Sequence, residues 1–143
     1  MSYFCVRIAN RSARRRLVLG ILSLTLGACA GISKEMETYQ LETRHYEQAL
    51  RWQDYDAVIS FHKDARKSIT PQSLKRLKKY KVTAYKVVSS VVSPDMQHAD
   101  ETVEIKYFNT DYQLVRDLTL QNRWEYDAKQ NRWFLINPLP AFR

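Results

Sequence analysis

Residues 69–93 read ITPQSLKRLKKYKVTAYKVVSSVVS, and the fold turns on the change of texture inside them. Thr70 is a good N-cap, and Pro71 suits the first helical position, where its missing N–H costs nothing. Ile69 and Leu74 have the N′ and N4 spacing of a hydrophobic staple. A short helix over about 71–79 is predicted, with Leu74 and Leu77 as its buried contacts. From Tyr80 the chain becomes rich in valine, threonine and tyrosine, which favour strands. Val82, Ala84, Val88 and Val92 share one parity, and Tyr85, Val87 and Val91 the other. Both faces of this strand are therefore expected to be partly covered. Pro94 closes it.

Toward the C-terminus the β texture continues. Residues 95–100 read as a polar loop. Residues 101–109, ETVEIKYFN, alternate Val103, Ile105 and Tyr107 inward against Glu104 and Lys106. Asn109-Thr110-Asp111 makes a turn into a long third strand, 112–126, carrying Leu114, Leu118, Leu120, Trp124 and Tyr126 on one parity. Residues 127–131 connect to a fourth strand, 132–137, which Asn137-Pro138 ends. Trp124 and Trp133 are expected to face each other across this last hairpin. Pro140 keeps the tail irregular. Short connections between consecutive strands mean an antiparallel meander.

Toward the N-terminus the pattern is helical. Met36, Tyr39, Tyr46 and Leu50, with Ala49 beside them, mark one face of a helix over about 35–52. Glu35 and Glu37 suit its first turn and Arg51 its last. Asp54 is a plausible cap for a second helix, about 55–64, presenting Tyr55, Val58, Ile59 and Phe61. Three helices followed by four strands give an α+β class, the helices covering one face of the sheet. The order resembles the cystatin-like, cone-shaped fold of the nuclear transport factor 2 superfamily over most of residues 35–137. It lacks the strand that this superfamily usually inserts before its third helix. That resemblance implies a curved sheet wrapped around the first helix, with a pocket at the open end. A plain layer of helices on a four-stranded sheet satisfies the same order.

The first thirty residues have another purpose. Five arginines and no acid occupy residues 1–16, followed by the apolar run LVLGILSLTL at 17–26 and then Gly27, Ala28 and Cys29. A positive head, a short apolar core and small residues form a secretory signal. Ten apolar residues are about half of what a permanent span needs. Leu26-Gly27-Ala28-Cys29 resembles the lipobox of bacterial lipoproteins. The resemblance implies cleavage after residue 28, diacylglycerol on the Cys29 sulfur and further acylation of the palmitate type. Residues 29–34 become a lipidated tether, and 35–143 a single periplasmic domain. Ala30, in place of an aspartate, implies the outer membrane, with the domain on its periplasmic face.

Removing residues 1–28 lowers the formal charge from +8 to +3. The basic balance thus belongs largely to targeting, and nucleic acid is not an expected partner. Cys5 leaves with the signal and Cys29 becomes a thioether, so the mature domain has no thiol for catalysis, disulfides or metal. What charge remains is uneven. Residues 63–86 hold nine Lys or Arg and one acid, five of them at Lys75, Arg76, Lys78, Lys79 and Lys81. That run is a solvated helix face, or a contact for anionic lipid or for an acidic patch of another envelope protein.

No catalytic motif is present. His45 reads as a solvated residue and His62 as a structural one at a helix C-terminus. His98, with Asp100 and Glu101, has no known metal-ligand spacing. Asp56 with His62, or Asp117 with a histidine, would be the acid–base candidates if the fold brought them together. No cofactor and no metal is expected. Tyrosines and tryptophans abound, and they serve either as core or as the lining of an apolar pocket or binding face. The expected role is a noncatalytic binding, scaffolding or accessory subunit. A carrier of an apolar ligand or lipid, or a small hydrolase or isomerase on the same fold, are the alternatives.

Overall fold

The computed structural model describes residues 33–64 and 69–143. The expected signal segment 1–28, Cys29 and the start of the expected tether lie outside the described residues. Helix α1 spans Lys34–Arg51; Ser33 Oγ accepts from Met36 N at 3.3 Å, and Arg51 pairs with Glu47 one turn back. Its buried face is Tyr39, Glu42, Tyr46, Ala49 and Leu50, the expected stripe with one acid added. Helix α2, Tyr55–Phe61, is capped by Asp54, whose carboxylate accepts from Ala57 N. All four of its predicted apolar residues are buried. It stops at Phe61 rather than 64 because the next residues join the sheet edge. His62 bridges Leu135 in parallel, and Lys63 N donates to Leu135 O.

Helix α3, Pro71–Leu77, begins at the predicted cap, with Ser73 completing a reciprocal capping box with Thr70. It is two residues shorter than expected, since Lys79 O already receives Thr110 N from the adjacent turn. None of its residues is fully buried. Leu74 and Leu77 lie only against the margin of the core.

The sheet has strands β1 (Tyr80–Val92), β2 (His98–Asn109), β3 (Val115–Asp127) and β4 (Arg132–Leu135), in the order β1-β2-β3-β4. Every neighbouring pair is antiparallel. The structure is thus an α+β fold with N-terminal helices packed on an open four-stranded meander. Strand β2 starts at His98 because Ser93 closes the preceding turn tightly, trading hydrogen bonds with His98 through its N–H and its hydroxyl. Leu114 falls in the β2–β3 turn and is exposed, not part of β3. No glycine occurs beyond Gly31. The left-handed turn positions therefore fall to Gln53, Met96, Gln113 and Asn131, with φ between 51° and 58°, a conformation that costs most residues about 1–2 kcal/mol and asparagine less.

Strand β1 corrects the parity reading. Bulges after Val82 and Val87 each insert a residue, so alternation resets twice. The residues opposite the inward side chains of β2 are Tyr80, Val82, Tyr85, Val87, Ser90 and Val92. Only that face is covered; Val91, on the other, is 68% exposed. The outer face is solvated and laced with cross-strand pairs: Lys86–Glu104, Lys106–Asp117 and Arg123–Asp100, at 3.5, 2.8 and 2.8 Å.

The core is aromatic. The β3–β4 register places Trp124 opposite Leu135 and Trp133 opposite Tyr126, so the two tryptophans are diagonal neighbours rather than a facing pair. Both meet Tyr39 of α1, edge-on, at centroid distances of 6.3 and 5.1 Å. Tyr46 packs on Trp124 and Phe61 at 5.7 and 5.6 Å. The tail is irregular but not idle: Phe142 is buried against Tyr107 and Tyr80, at 4.8 and 5.6 Å.

Candidate functional site: a basic groove and a buried carboxylate

Tail and α3 together enclose a groove of about 650 Å³. Its walls are Ile69, Leu77, Tyr80, Ile136, Leu139 and Phe142, and its charged residues are Arg76, Arg143 and Asp64. The groove exists because α3 is too short and too polar to cover the sheet, and the tail takes over where it stops. The five predicted basic residues are all exposed around this end of the molecule. They are not equivalent. Lys79 pairs with Asp111 at 2.6 Å. Lys75, Arg76, Lys78 and Lys81 have no ion pair among the described residues. Arg76 turns toward the groove, while Lys75 and Lys78, one turn apart, share a side of α3. This end is tied to the C-terminal end of α1: Gln53 Nε2 donates to Lys78 O and Tyr80 O, and Tyr55 OH donates to Tyr80 O at 2.7 Å.

The acid–base candidates do not meet. His62 is buried, its Nδ1–H donating to Asn137 O at 2.8 Å and its Nε2 accepting from Tyr46 OH at 3.3 Å. Asn137 O can only accept, which fixes the tautomer. Burial pushes this imidazole below its ordinary pKa. Both nitrogens are occupied without a carboxylate. Asp56 is exposed on α2, and Asp117 is held by Lys106 on the outer face. His45 is exposed. His98, Asp100 and Glu101 lie on one strand, so alternation sends the first and second outward and the third inward. Among the described residues, no three metal-ligating side chains converge.

Two buried acids escaped the sequence. Glu42 on α1 meets Arg132 on β4 in a two-pronged pair, Nε to Oε1 at 2.8 Å and Nη2 to Oε2 at 3.3 Å. Glu101 sits in the middle of the covered sheet face, 3% exposed. Its Oε2 accepts from Asn122 Nδ2 (3.2 Å), Trp124 Nε1 (3.4 Å) and Tyr85 OH (3.5 Å). Burial raises its pKa, as it raises that of Tyr85. Tyr39, whose hydroxyl shares a 2.8 Å hydrogen bond with Ser90, is pushed up to about 12 by the same desolvation. No spacing signals these partners. Asn122, which with Arg116 interrupts the apolar parity of the third strand, is the one visible mark among them.

No family model matches the chain, and no curated protein matches it significantly. Among solved structures, the crystal structure of a SEC-C motif containing protein from Psychrobacter arcticus is similar to it, with a TM-score of 0.54 at 11% identity. The match covers 74% of this chain and 62% of that one, so this chain spans less than two thirds of that protein's length. At that identity the likeness extends to the fold alone.

Proposed function

We propose that this chain is a lipid-anchored accessory subunit on the periplasmic face of the outer membrane, and that its domain binds a protein partner rather than catalysing a reaction. The observation that carries the reading is the groove between α3 and the tail, where an apolar floor meets Arg76 and Arg143 beside Asp64, next to α3 lysines that have no ion pair among the described residues. Such a surface suits an acidic segment with apolar anchors. The covered face of the sheet is filled by Tyr46, Trp124 and Trp133, each fully buried. That packing favours surface docking over a carrier's interior pocket. The bulges that bend β1 over α1 are in keeping with the cystatin-like cone of the nuclear transport factor 2 superfamily.

Geometry favours a protein over the bilayer as the basic groove's partner. Cys29 stands four residues before Ser33, a reach of at most about 14 Å. The groove lies at the far end of α1, whose 18 residues span about 27 Å. The first turn of α1 carries Glu35 and Glu37 and its last turn Arg51, the end to which Gln53 ties Lys78 and Tyr80.

Reversing Lys75, Lys78 and Lys81 to Glu should leave the unfolding midpoint unchanged, since all three are solvated. It should weaken capture of the acidic envelope partner by roughly tenfold or more, at a few tenths to 1 kcal/mol per charge. The loss should shrink as salt rises. Capture identical to wild type at low salt would remove the docking reading. A defect confined to anionic vesicles would transfer the surface to lipid.

The anchor has its own test. Intact-mass measurement of the membrane-extracted protein should give the chain from residue 29 plus its acyl chains. Cys29→Ser should abolish both the added mass and the cleavage. Wild-type protein recovered without acyl mass would rule the anchor out.

A further inference from the structure

Beside the core, α1 and strand β1 leave a cleft of about 240 Å³, independent of the basic groove. Gln40, Thr43, Arg44 and Glu47 line it from the helix, and Tyr85 and Val87 from the strand, with Glu101 at the sheet. Glu101 is the unusual member. The other buried acid, Glu42, has its arginine; Glu101 has no cation paired with it among the described residues. Its two oxygens are also unequal. Oε2 takes all three donors from Asn122, Trp124 and Tyr85, and Oε1 takes none among the described residues. No buried side-chain oxygen among the described residues is without a partner. Oε1 is therefore not wholly enclosed, although the residue is only 3% exposed, and Glu101 lines the cleft. A carboxylate withdrawn from water without a cation is costly, and a cation supplied from outside removes that cost.

We propose that this cleft binds a small primary ammonium ion on a short apolar stem, with Glu101 Oε1 as the acceptor of its charge. One free oxygen selects the class. A guanidinium needs both oxygens of a carboxylate to use its fork, and here Oε2 is saturated. An ammonium is a point charge satisfied by one strong acceptor, and its remaining protons can reach Thr43, Gln40 or Glu47 at the helix wall. Val87, half-exposed at the margin, and the aliphatic part of Gln40 offer the stem a surface. Glu47 adds negative potential, though it shares its charge with Arg51 at 3.3 Å. Arg44, also at the lining, repels any cation, and it opposes a dication twice as strongly as a single charge. The raised pKa of Glu101 agrees with a carboxylate that gains from such a guest.

The Trp124 indole N–H, bonded to the other oxygen of the same carboxylate, is a built-in reporter. In the intact acylated protein in detergent, titration with n-butylammonium should shift the Trp124 indole N–H resonance saturably at millimolar concentrations. Butyrate at equal ionic strength should not shift it. Methylguanidinium should bind at least several-fold more weakly. Glu101→Gln should weaken butylammonium at least tenfold, because the amide oxygen keeps the three donors while its NH2 faces the cleft. Val87→Lys, at a half-exposed position that folding tolerates, should also abolish binding by placing a tethered ammonium there. The proposal is overturned if the wild-type resonance does not move, if butyrate moves it equally, or if Glu101→Gln binds as well as wild type. Methylguanidinium binding as tightly as butylammonium would overturn the assignment of ligand class.

Discussion

Trp124→Ala should lower stability by about 3–5 kcal/mol, the range for truncating a buried aromatic side chain. That is a large share of the 5–15 kcal/mol typical of a whole domain. The ring touches Tyr39, Tyr46 and Phe61 from two helices, at 6.3, 5.7 and 6.4 Å between centroids. Its loss opens a void between these three helix-borne rings and the sheet. The change also takes one donor from Glu101 Oε2, leaving a buried carboxylate less well solvated. Urea unfolding followed by circular dichroism should show a lowered midpoint with an unchanged slope. Trp52 provides the control: it is 83% exposed at the end of α1, and Trp52→Ala should stay within about 0.5 kcal/mol. Equal midpoints for the two variants would mean that the aromatic cluster does not organise the core.

The layout was legible because its signals are local. Thr70-Pro71 fixes the start of α3, Asp54 starts α2, and the spacing from Tyr39 to Leu50 marks the buried face of α1. Short polar connections dictate a meander of sequential strands. What stayed hidden depends on register. A bulge adds one residue without a side-chain signature, so Val87 and Val88 look equivalent in sequence while only Val87 lies opposite Val103. The last hairpin closes on the Asp127–Arg132 pair with Asn131 left-handed at φ 51°. That closure sets Trp133 beside Tyr126 instead of Trp124. The basic groove was half legible. Its charges stand close together in sequence, but its apolar wall comes from a tail that local patterning marks only as irregular. The Glu101 cleft was illegible, because its partners lie 16, 21 and 23 residues away on the two flanking strands.

The Glu42–Arg132 pair joins residues 90 positions apart and clamps the helix nearest the tether to the last strand. Arg132→Met should cost about 3 kcal/mol, the lower end for breaking a buried pair, because the arginine side chain is 36% exposed. Most of that cost is the uncompensated charge: Glu42 has only 11% of its side chain exposed. A smaller share is the cation–π contact of the guanidinium with Phe61 and Phe134, at 5.6 and 5.3 Å. Lysine at 132 should recover only part of the loss, since it restores the charge but not the two-pronged geometry. Glu42→Leu combined with Arg132→Met should return most of the stability, because apolar replacements of matched size remove both desolvation costs. A double-mutant cycle on urea midpoints measures the coupling directly. If Arg132→Met alone costs under about 0.5 kcal/mol, the pair behaves like an exposed bridge. The hold of α1 on the sheet would then rest on its apolar face, Tyr39, Tyr46, Ala49 and Leu50, and on the Trp133 Nε1–Glu35 O hydrogen bond, and the clamp would have no energetic meaning.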